Sequence, residues 1–191
     1  NQSLDIEGEN LKGVLSGPEF LKNNGAGQTR SVGTRVAVIG GGDTAVDTAR
    51  TCVRKDVDEV VVIYQRSMME MPASHREVKE AENEGVHFAL MTGLSKISRA
   101  NGHFILETVR MKLSKPDEKG RRRPIPDPGS EETREVDTVI MAPGQSPDLS
   151  WMEHPDESVK PHVLPGGTVI STPQPFETSA KGVFAGGDTV W

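Results

Sequence analysis

VAVIGGGDTAVD, residues Val36 to Asp47, joins a β-branched run to three consecutive glycines and then to a segment with helical spacing of small and apolar residues. A strand, the pattern G-x-G-x-x-G/A and a helix together form the fingerprint of a dinucleotide pyrophosphate cradle. Gly40, Gly42 and Ala45 occupy its three small positions. The first glycine permits the tight turn, the second lets backbone approach the anion, and the third small residue lets helix and strand pack closely. The N–H groups and dipole at the start of the helix then hold the negative charge. The alternative is a tight strand-to-helix turn with no ligand.

Working outward, RVAVIG from Arg35 is apolar on both faces, as in the middle of a parallel sheet. Ala45, Ala49, Cys52 and Val53 recur at helical spacing after the glycines, and EVVVIY, Glu59 to Tyr64, is a second buried strand. Pro72 and the capping-box pattern Ser74-His-Arg-Glu77 start another helix, which Gly85 ends, and VHFAL is a third strand. The order strand–helix–strand–helix–strand implies a parallel sheet. Upstream, Ser16-Gly-Pro-Glu19 starts a short helix over about Pro18 to Asn23, and GAGQTRSVG is a flexible joint. Downstream, Asn101-Gly102 between two strand-like runs signals a hairpin. A Pro- and Gly-rich loop, Lys115 to Glu132, leads to EVDTVIMAPG, read as one buried strand. A second hairpin is expected around Pro165-Gly166-Gly167, and GVFAGGD reads as a final strand.

Composition narrows the function classes. The 191 residues carry a net charge of -6, which argues against nucleic acid or an anionic membrane as partner. The one basic cluster, KGRRRP at Lys119 to Pro124, lies amid Pro, Asp and Gly and reads as a solvated loop. A single cysteine, Cys52, excludes an internal disulfide and a cysteine-rich metal or iron–sulfur site within these residues, and its place on a helix points to burial. The histidines show no metal-ligand spacing. No apolar run reaches the ~20 residues of a membrane span, and no signal peptide is visible, which points to a cytoplasmic protein.

The residues after the second strand bear on which nucleotide is bound. An NAD-selective site ends that strand in Asp or Glu, which accepts from the ribose 2′-hydroxyl. Here Tyr64, Gln65 and Arg66 stand instead, and Arg76 lies near the start of the next helix. A carboxylate would repel a 2′-phosphate, whereas a guanidinium grips it through paired hydrogen bonds, so NADPH is favoured. In the alternative, Arg66 pairs with Glu70 or another neighbour. Asp43, an anion beside an expected pyrophosphate, is read as the helix N-cap, and Asp47 as a favourable charge near the helix start.

VAVIGGGDTAVDTART, VVVIYQRS, MPASHREVKEAENEGVHF, DTVIMAPGQSPD and KGVFAGGDTV resemble the NADPH-linked glutamate synthase small subunit and related FAD/NAD(P)-dependent pyridine nucleotide oxidoreductases, from about Leu11 to Val190. The resemblance implies an α/β, Rossmann-like, three-layer dinucleotide-binding domain with a parallel sheet and a β-hairpin insertion. It implies three parts: residues 1–32 crossing from an FAD domain, 33–145 binding the nicotinamide nucleotide, and 146–191 returning to the FAD domain. It implies that Gly40, Gly41, Gly42, Asp43, Thr44 and Ala45 line the NADPH phosphates, that Gln65, Arg66 and Arg76 lie at the 2′-phosphate, and that Gly144, at the return crossover, is also a cofactor-binding residue. Gly187 and Asp188 match the flavin-contacting GGD of such relatives. Two departures stand out: Gln65 replaces the first of two adjacent basic residues, and Pro143 stands where relatives have isoleucine.

No second glycine fingerprint precedes Leu11. FAD, and the iron–sulfur clusters of such relatives, are therefore expected outside this chain. The chain is read as an expressed piece of a larger flavoprotein, with the FAD domain and a large catalytic subunit as partners, and inactive alone. The expected role is placement of NADPH for hydride transfer to FAD; no catalytic acid, base, nucleophile or metal ligand is assigned. Two other readings remain at this point: a self-contained NAD(P)-dependent dehydrogenase, and a nucleotide-sensing module without redox work.

Overall fold

The runs RVAVI and EVVVI, apolar everywhere but at their first residues, become neighbouring strands at the centre of a parallel sheet. In chain order the elements are β1 (Leu15–Ser16), α1 (Gly17–Gly25), β2 (Arg35–Ile39), α2 (Asp43–Val53), β3 (Glu59–Ile63), α3 (His75–Asn83) and β4 (Val86–Ala89). They continue with β5 (Thr92–Ala100), β6 (His103–Leu113), β7 (Pro124–Pro126), β8 (Glu132–Val136) and β9 (Thr138–Met141). The computed structural model describes residues 3–28, 30–55, 57–115, 122–146, 148–152, 160–164, 167–171 and 176–190, the side chains of Trp151 and Asp188 excepted. The chain divides into two units, Asn1–Gly144 and Gln145–Trp191.

In the first unit the parallel sheet has the order β1-β9-β2-β3-β4. Successive side chains of a strand point to opposite faces, and both faces are covered. Val36, Val38, Val60, Val62 and Ile140 pack with Phe20 of α1, Val46, Ala49 and Cys52 of α2, and Val78 and Ala81 of α3. The alternate set, Ala37, Ile39, Val61, Ile63, Val139 and Met141, packs with Ile97, Phe104, Leu106 and Val136 of an antiparallel sheet. The layers are therefore helices, parallel sheet and antiparallel sheet. Cys52 is fully buried, and burial pushes its thiol up to about 12, so no reactive thiolate forms there at neutral pH.

In the antiparallel sheet β6 lies between β5 on one side and β7 and β8 on the other. The β5–β6 hairpin turns through Asn101 (φ 52°) and Gly102 (φ 87°), both in the left-handed region that a two-residue type I′ turn requires. A β-branched side chain is strained there, so Asn101→Val is expected to destabilise the unit by about 1–3 kcal/mol. Asn101→Gly is expected to stay within about 0.5 kcal/mol of the parent on the same thermal-melt measurement.

EVDTVIMAPG is two strands rather than one. Glu132–Val136 pairs with β6 in the antiparallel sheet, and Thr138–Met141 pairs with β2 and β1 in the parallel sheet. The break falls at Asp137, which sits where the chain leaves one sheet for the other. Its carboxylate accepts from the N–H groups of Thr34 (2.8 Å) and Arg35 (2.9 Å) and lies 2.8 Å from His103 Nδ1. The immediate neighbours Val136 and Thr138 are both buried, so an apolar pattern shows no break at Asp137.

Two capping expectations change. Ser74 is the N-cap residue of α3, but its side chain makes no capping bond. Its own N–H, which Glu77 would bind in a capping box, is held by Asp43 Oδ1 at 3.0 Å. The capping box forms instead at Ser67–Glu70, around the 3₁₀ turn Met68–Glu70, with Ser67 and Glu70 bonded reciprocally. The Ser67 hydroxyl, against the opposing effect of burial and with help from the Ser67 N–H, holds the Glu70 carboxyl below its ordinary range.

In the second unit, Val163 and Val169 pair antiparallel about a turn closed by the Gly167 N–H on the Leu164 carbonyl (2.8 Å), with Pro165 and Gly166 outside the described residues. GVFAGGD is not a strand. Phe184 makes an isolated bridge to Glu177, and Gly187–Thr189 is a single 3₁₀ turn. Three glycines at 182, 186 and 187 give the segment little side chain to pack, and among the described residues it meets no continuous partner strand. Of the basic cluster, Lys119 to Arg121 lie outside the described residues, while Arg122 and Arg123 are exposed. Among the described residues no helix is long and apolar enough to cross a membrane.

Candidate functional site

The parallel order places the carboxyl ends of β9, β2 and β3 side by side, so the segments after Met141, Ile39 and Ile63 meet at one edge. The chain goes from β2 to β3 on one side and returns to β2 through β9 on the other. That reversal of strand order opens the crevice in which open α/β sheets bind ligands. Topology thus brings Gly40 to Ala45, Gln65, Arg66 and Gly144 to one edge.

The three glycines are used differently. Gly40 has φ +147°, and a Cβ on it would lie 2.0 Å from the Ala142 carbonyl oxygen, so only glycine fits beside the end of β9. Gly41 is buried beneath the Tyr64 ring, where an added Cβ would meet ring carbons at 2.5 Å. Gly42 is the N-cap residue of α2, with extended backbone and nothing within 4 Å of an added Cβ. Because a glycine N-cap offers no side chain to the first turn of α2, that turn carries no side-chain cap bond. Ala45 is fully buried and lets the helix close onto the turn.

Asp43 is not the N-cap. The extended Gly42 brings the chain into the helix one residue earlier than expected, and Asp43 becomes the first helical residue. Its carboxylate reaches across to the Ser74 N–H. Beside it the Ala73 N–H donates to the Gly41 carbonyl at 3.1 Å. The loop from Tyr64 to Ser74 is thereby folded onto the glycine turn. Burial pushes the Tyr64 phenol up, and its hydroxyl donates to the Glu70 carbonyl at 2.8 Å.

The two arginines differ. Arg66 is half-buried, and among the described residues its guanidinium makes no ion pair; Glu70, the expected competitor, is engaged by Ser67. Arg76 is exposed on the first turn of α3 and pairs with Glu80 at 3.0 Å. Gln65 is exposed beside Arg66, and Gly144 (φ +140°) follows β9. Gly187 (φ +72°) and the backbone of Asp188 form the 3₁₀ turn of the second unit. The sequence reading missed the Tyr64 lid on Gly41, the Ala142 carbonyl against Gly40, and the Ser67–Glu70 box. The last had a visible signal in S-M-M-E.

A small crevice of about 140 Å³ with a mixed polar and apolar lining, including Ile39, Gly40, Gly41, Ile63, Tyr64 and Gln65, opens at this edge. It is below the roughly 300–1,000 Å³ of an enclosing ligand pocket. The edge is an open platform. Larger depressions of about 350 Å³ flank β1 and α1, with no phosphate-binding turn in their linings.

The model of the pyridine nucleotide-disulphide oxidoreductase family matches residues 1–190. The chain belongs to this family. The NADP(+)-dependent formate dehydrogenase subunit beta of Moorella thermoacetica is 41% identical over 96% of this pyridine nucleotide-disulphide oxidoreductase chain and 26% of its own length. The NADPH-Fe(3+) oxidoreductase subunit beta of Geobacter sulfurreducens is 37% identical over 98% of the chain and 31% of its own length. The glutamate synthase [NADPH] small chain of Escherichia coli is 38% identical over 97% and 42%. The chain therefore spans between about a quarter and two fifths of the length of these curated relatives. In fold it resembles T. acidophilum thioredoxin reductase, with a TM-score of 0.68 at 20% identity over 100% of this chain and 54% of that one. It also resembles Mycobacterium tuberculosis FprA in complex with NADPH, with a TM-score of 0.66 at 16% identity over 88% and 53%. The family name includes disulphide chemistry, but the single buried Cys52 supplies no dithiol within these 191 residues.

Proposed function

We propose that the edge built from Gly40 to Ala45, Arg66 and Gly144 binds NADPH, and that the chain is the nicotinamide-nucleotide domain of a larger flavin oxidoreductase like the glutamate synthase small subunit. One juxtaposition carries this reading: an open glycine N-cap that offers no side-chain cap bond to its helix, with a guanidinium after the neighbouring strand that makes no ion pair among the described residues. The names of the three relatives above, each with NADP or NADPH in it, support it.

The first turn of α2 receives the pyrophosphate through backbone N–H groups, which bind an anion without a charged side chain. Gly42 gives the approach. Arg66 receives the 2′-phosphate, and Gln65 and Arg76 border that position. When bound, NADPH supplies the hydride, and FAD held by a partner domain accepts it. Gly187 and Asp188 are assigned to the flavin side, residues 1–32 and 146–191 to the two crossings between domains, and iron–sulfur clusters and a large catalytic subunit to the rest of a cytoplasmic assembly. A self-contained dehydrogenase would need a substrate domain or a Tyr–Lys type of catalytic pair. Tyr64, the sole tyrosine, is committed to the Glu70 carbonyl and to covering Gly41.

Titration calorimetry of the purified chain tests this reading. NADPH is expected to bind at least about tenfold more tightly than NADH, the worth of one charge-assisted phosphate contact. Arg66→Ala is expected to weaken NADPH by about 10- to 100-fold and NADH by less than about threefold. Equal affinity for the two nucleotides, or equal losses on substitution, would remove the 2′-phosphate assignment.

A further inference from the structure

An aspartate next to an expected pyrophosphate is an electrostatic puzzle, since an anion at that point repels the ligand. Its carboxylate is spent elsewhere. Asp43 Oδ1 accepts the Ser74 N–H at 3.0 Å, thirty-one residues along the chain. We propose that Asp43 is a positioning residue that latches the loop after β3 onto the glycine turn, so that the groups for the two phosphate ends of the nucleotide ride on one rigid unit. The proposal rests on the nucleotide reading above and names which residue sets its selectivity.

The loop is already stiff within itself. Ser67 and Glu70 cap its 3₁₀ turn, the Tyr64 hydroxyl bonds the Glu70 carbonyl, and Met71 and Ala73 are buried against the helices. Its N-terminal end is fixed by the Met91 N–H on the Arg66 carbonyl at 3.0 Å. The C-terminal end is fixed against the turn by the Ala73 N–H on the Gly41 carbonyl and by the Asp43 latch. Of these last two bonds, the first joins backbone to backbone, so the second is the one a side chain controls. Ser74 is also the N-cap residue of α3. The latch therefore sets where α3, with Arg76 in its first turn, begins relative to the anion cradle. Releasing it lets the start of α3, with Arg76 in its first turn, drift from the cradle. The Met91 bond keeps Arg66 in place, and the cradle's own N–H groups are undisturbed. NADPH should suffer and NADH should not.

Three variants separate this role from a direct ligand contact. Asp43→Ala removes the acceptor. Asp43→Asn keeps the Oδ1 acceptor and removes the charge. Ser74→Pro removes the donor from the other side, at a residue whose φ of -56° proline adopts readily. The first readout needs no ligand: amide hydrogen exchange at Ser74 and across the loop. Asp43→Ala is expected to speed Ser74 exchange by about tenfold or more, and Asp43→Asn by less than about threefold. The second readout is the ratio of NADPH to NADH affinity by calorimetry. Asp43→Ala and Ser74→Pro are each expected to lower that ratio about tenfold, the double variant to be no worse than either, and Asp43→Asn to restore it. Unchanged exchange in Asp43→Ala, an asparagine variant as poor as alanine, or equal losses for both nucleotides would overturn the latch. Failure of the parent chain to bind NADPH would instead overturn the nucleotide reading and the latch's selectivity role with it. The exchange data would still decide whether Asp43 holds the loop.

Discussion

Gly40→Ala is expected to destabilise the first unit by more than about 4 kcal/mol, lowering its melting temperature by roughly 8–16 °C. The new Cβ would stand 2.0 Å from the Ala142 carbonyl oxygen, and the residue would have to hold φ +147°. Neither partner can give way. The Ala142 N–H is bonded to the Ile39 carbonyl at 2.8 Å, and the Gly40 N–H to the Ile63 carbonyl at 3.1 Å, so both strand ends are pinned by the parallel ladder. Gly42→Ala is the informative contrast. That residue has φ -92° and open space around its Cβ, so stability should change by less than about 1 kcal/mol. If nucleotide approaches through that space, the same methyl group should weaken NADPH binding by about tenfold or more. Calorimetry and thermal melts on the pair distinguish a turn kept for folding from one kept open for a ligand. A Gly42→Ala chain that binds NADPH like the parent would move the approach elsewhere.

The second large effect belongs to Asp137. Asp137→Ala is expected to cost about 2–4 kcal/mol, because it leaves the Thr34 and Arg35 N–H groups without their acceptor where β2 begins. The acid limb of stability should change as well. Burial pushes this carboxyl up, but the N–H groups of Arg35 and Thr34, then His103, outweigh it and hold the carboxyl far below its ordinary range. A carboxyl depressed in the folded state binds fewer protons there than in the unfolded chain at the same pH. Its contribution is thus complete above about pH 4, the unfolded value, and declines as pH falls below that toward the folded value. Urea titrations at pH 7 and pH 3 should show the gap between parent and Asp137→Ala narrowing in acid. A gap of the same size at both would mean that the ionised carboxylate contributes nothing beyond its shape.

Much of the central sheet was legible because burial on both faces leaves an unmistakable mark. The apolar runs after Arg35 and Glu59, and the small residues facing back from α2, have no other economical fold. The hairpin was legible for a different reason: Asn101-Gly102 is a local conformational requirement, independent of anything distant. The glycine turn was readable as a turn, but the division of labour within it was not. That Gly40 answers to Ala142 and Gly41 to Tyr64 depends on contacts made across the strand ends, which no local pattern encodes. The same holds for Ser74, whose capping-box pattern is complete in sequence. The structure uses its N–H for Asp43 instead, because the tertiary fold places a carboxylate of another helix against it.

By itself the chain's order of residues determined a parallel α/β core, the place of its glycine turn and the absence of an acid after the second strand. Periodicity and backbone permissiveness act over a few residues, and those properties survive in any context. Only the tertiary structure decided that EVDTVIMAPG divides between two sheets at Asp137, that GVFAGGD forms no strand, and that Asp43 serves a loop rather than its own helix. Each of these is a competition for a hydrogen-bond partner or a neighbouring strand, and its winner is chosen by which distant groups folding brings within about 3 Å.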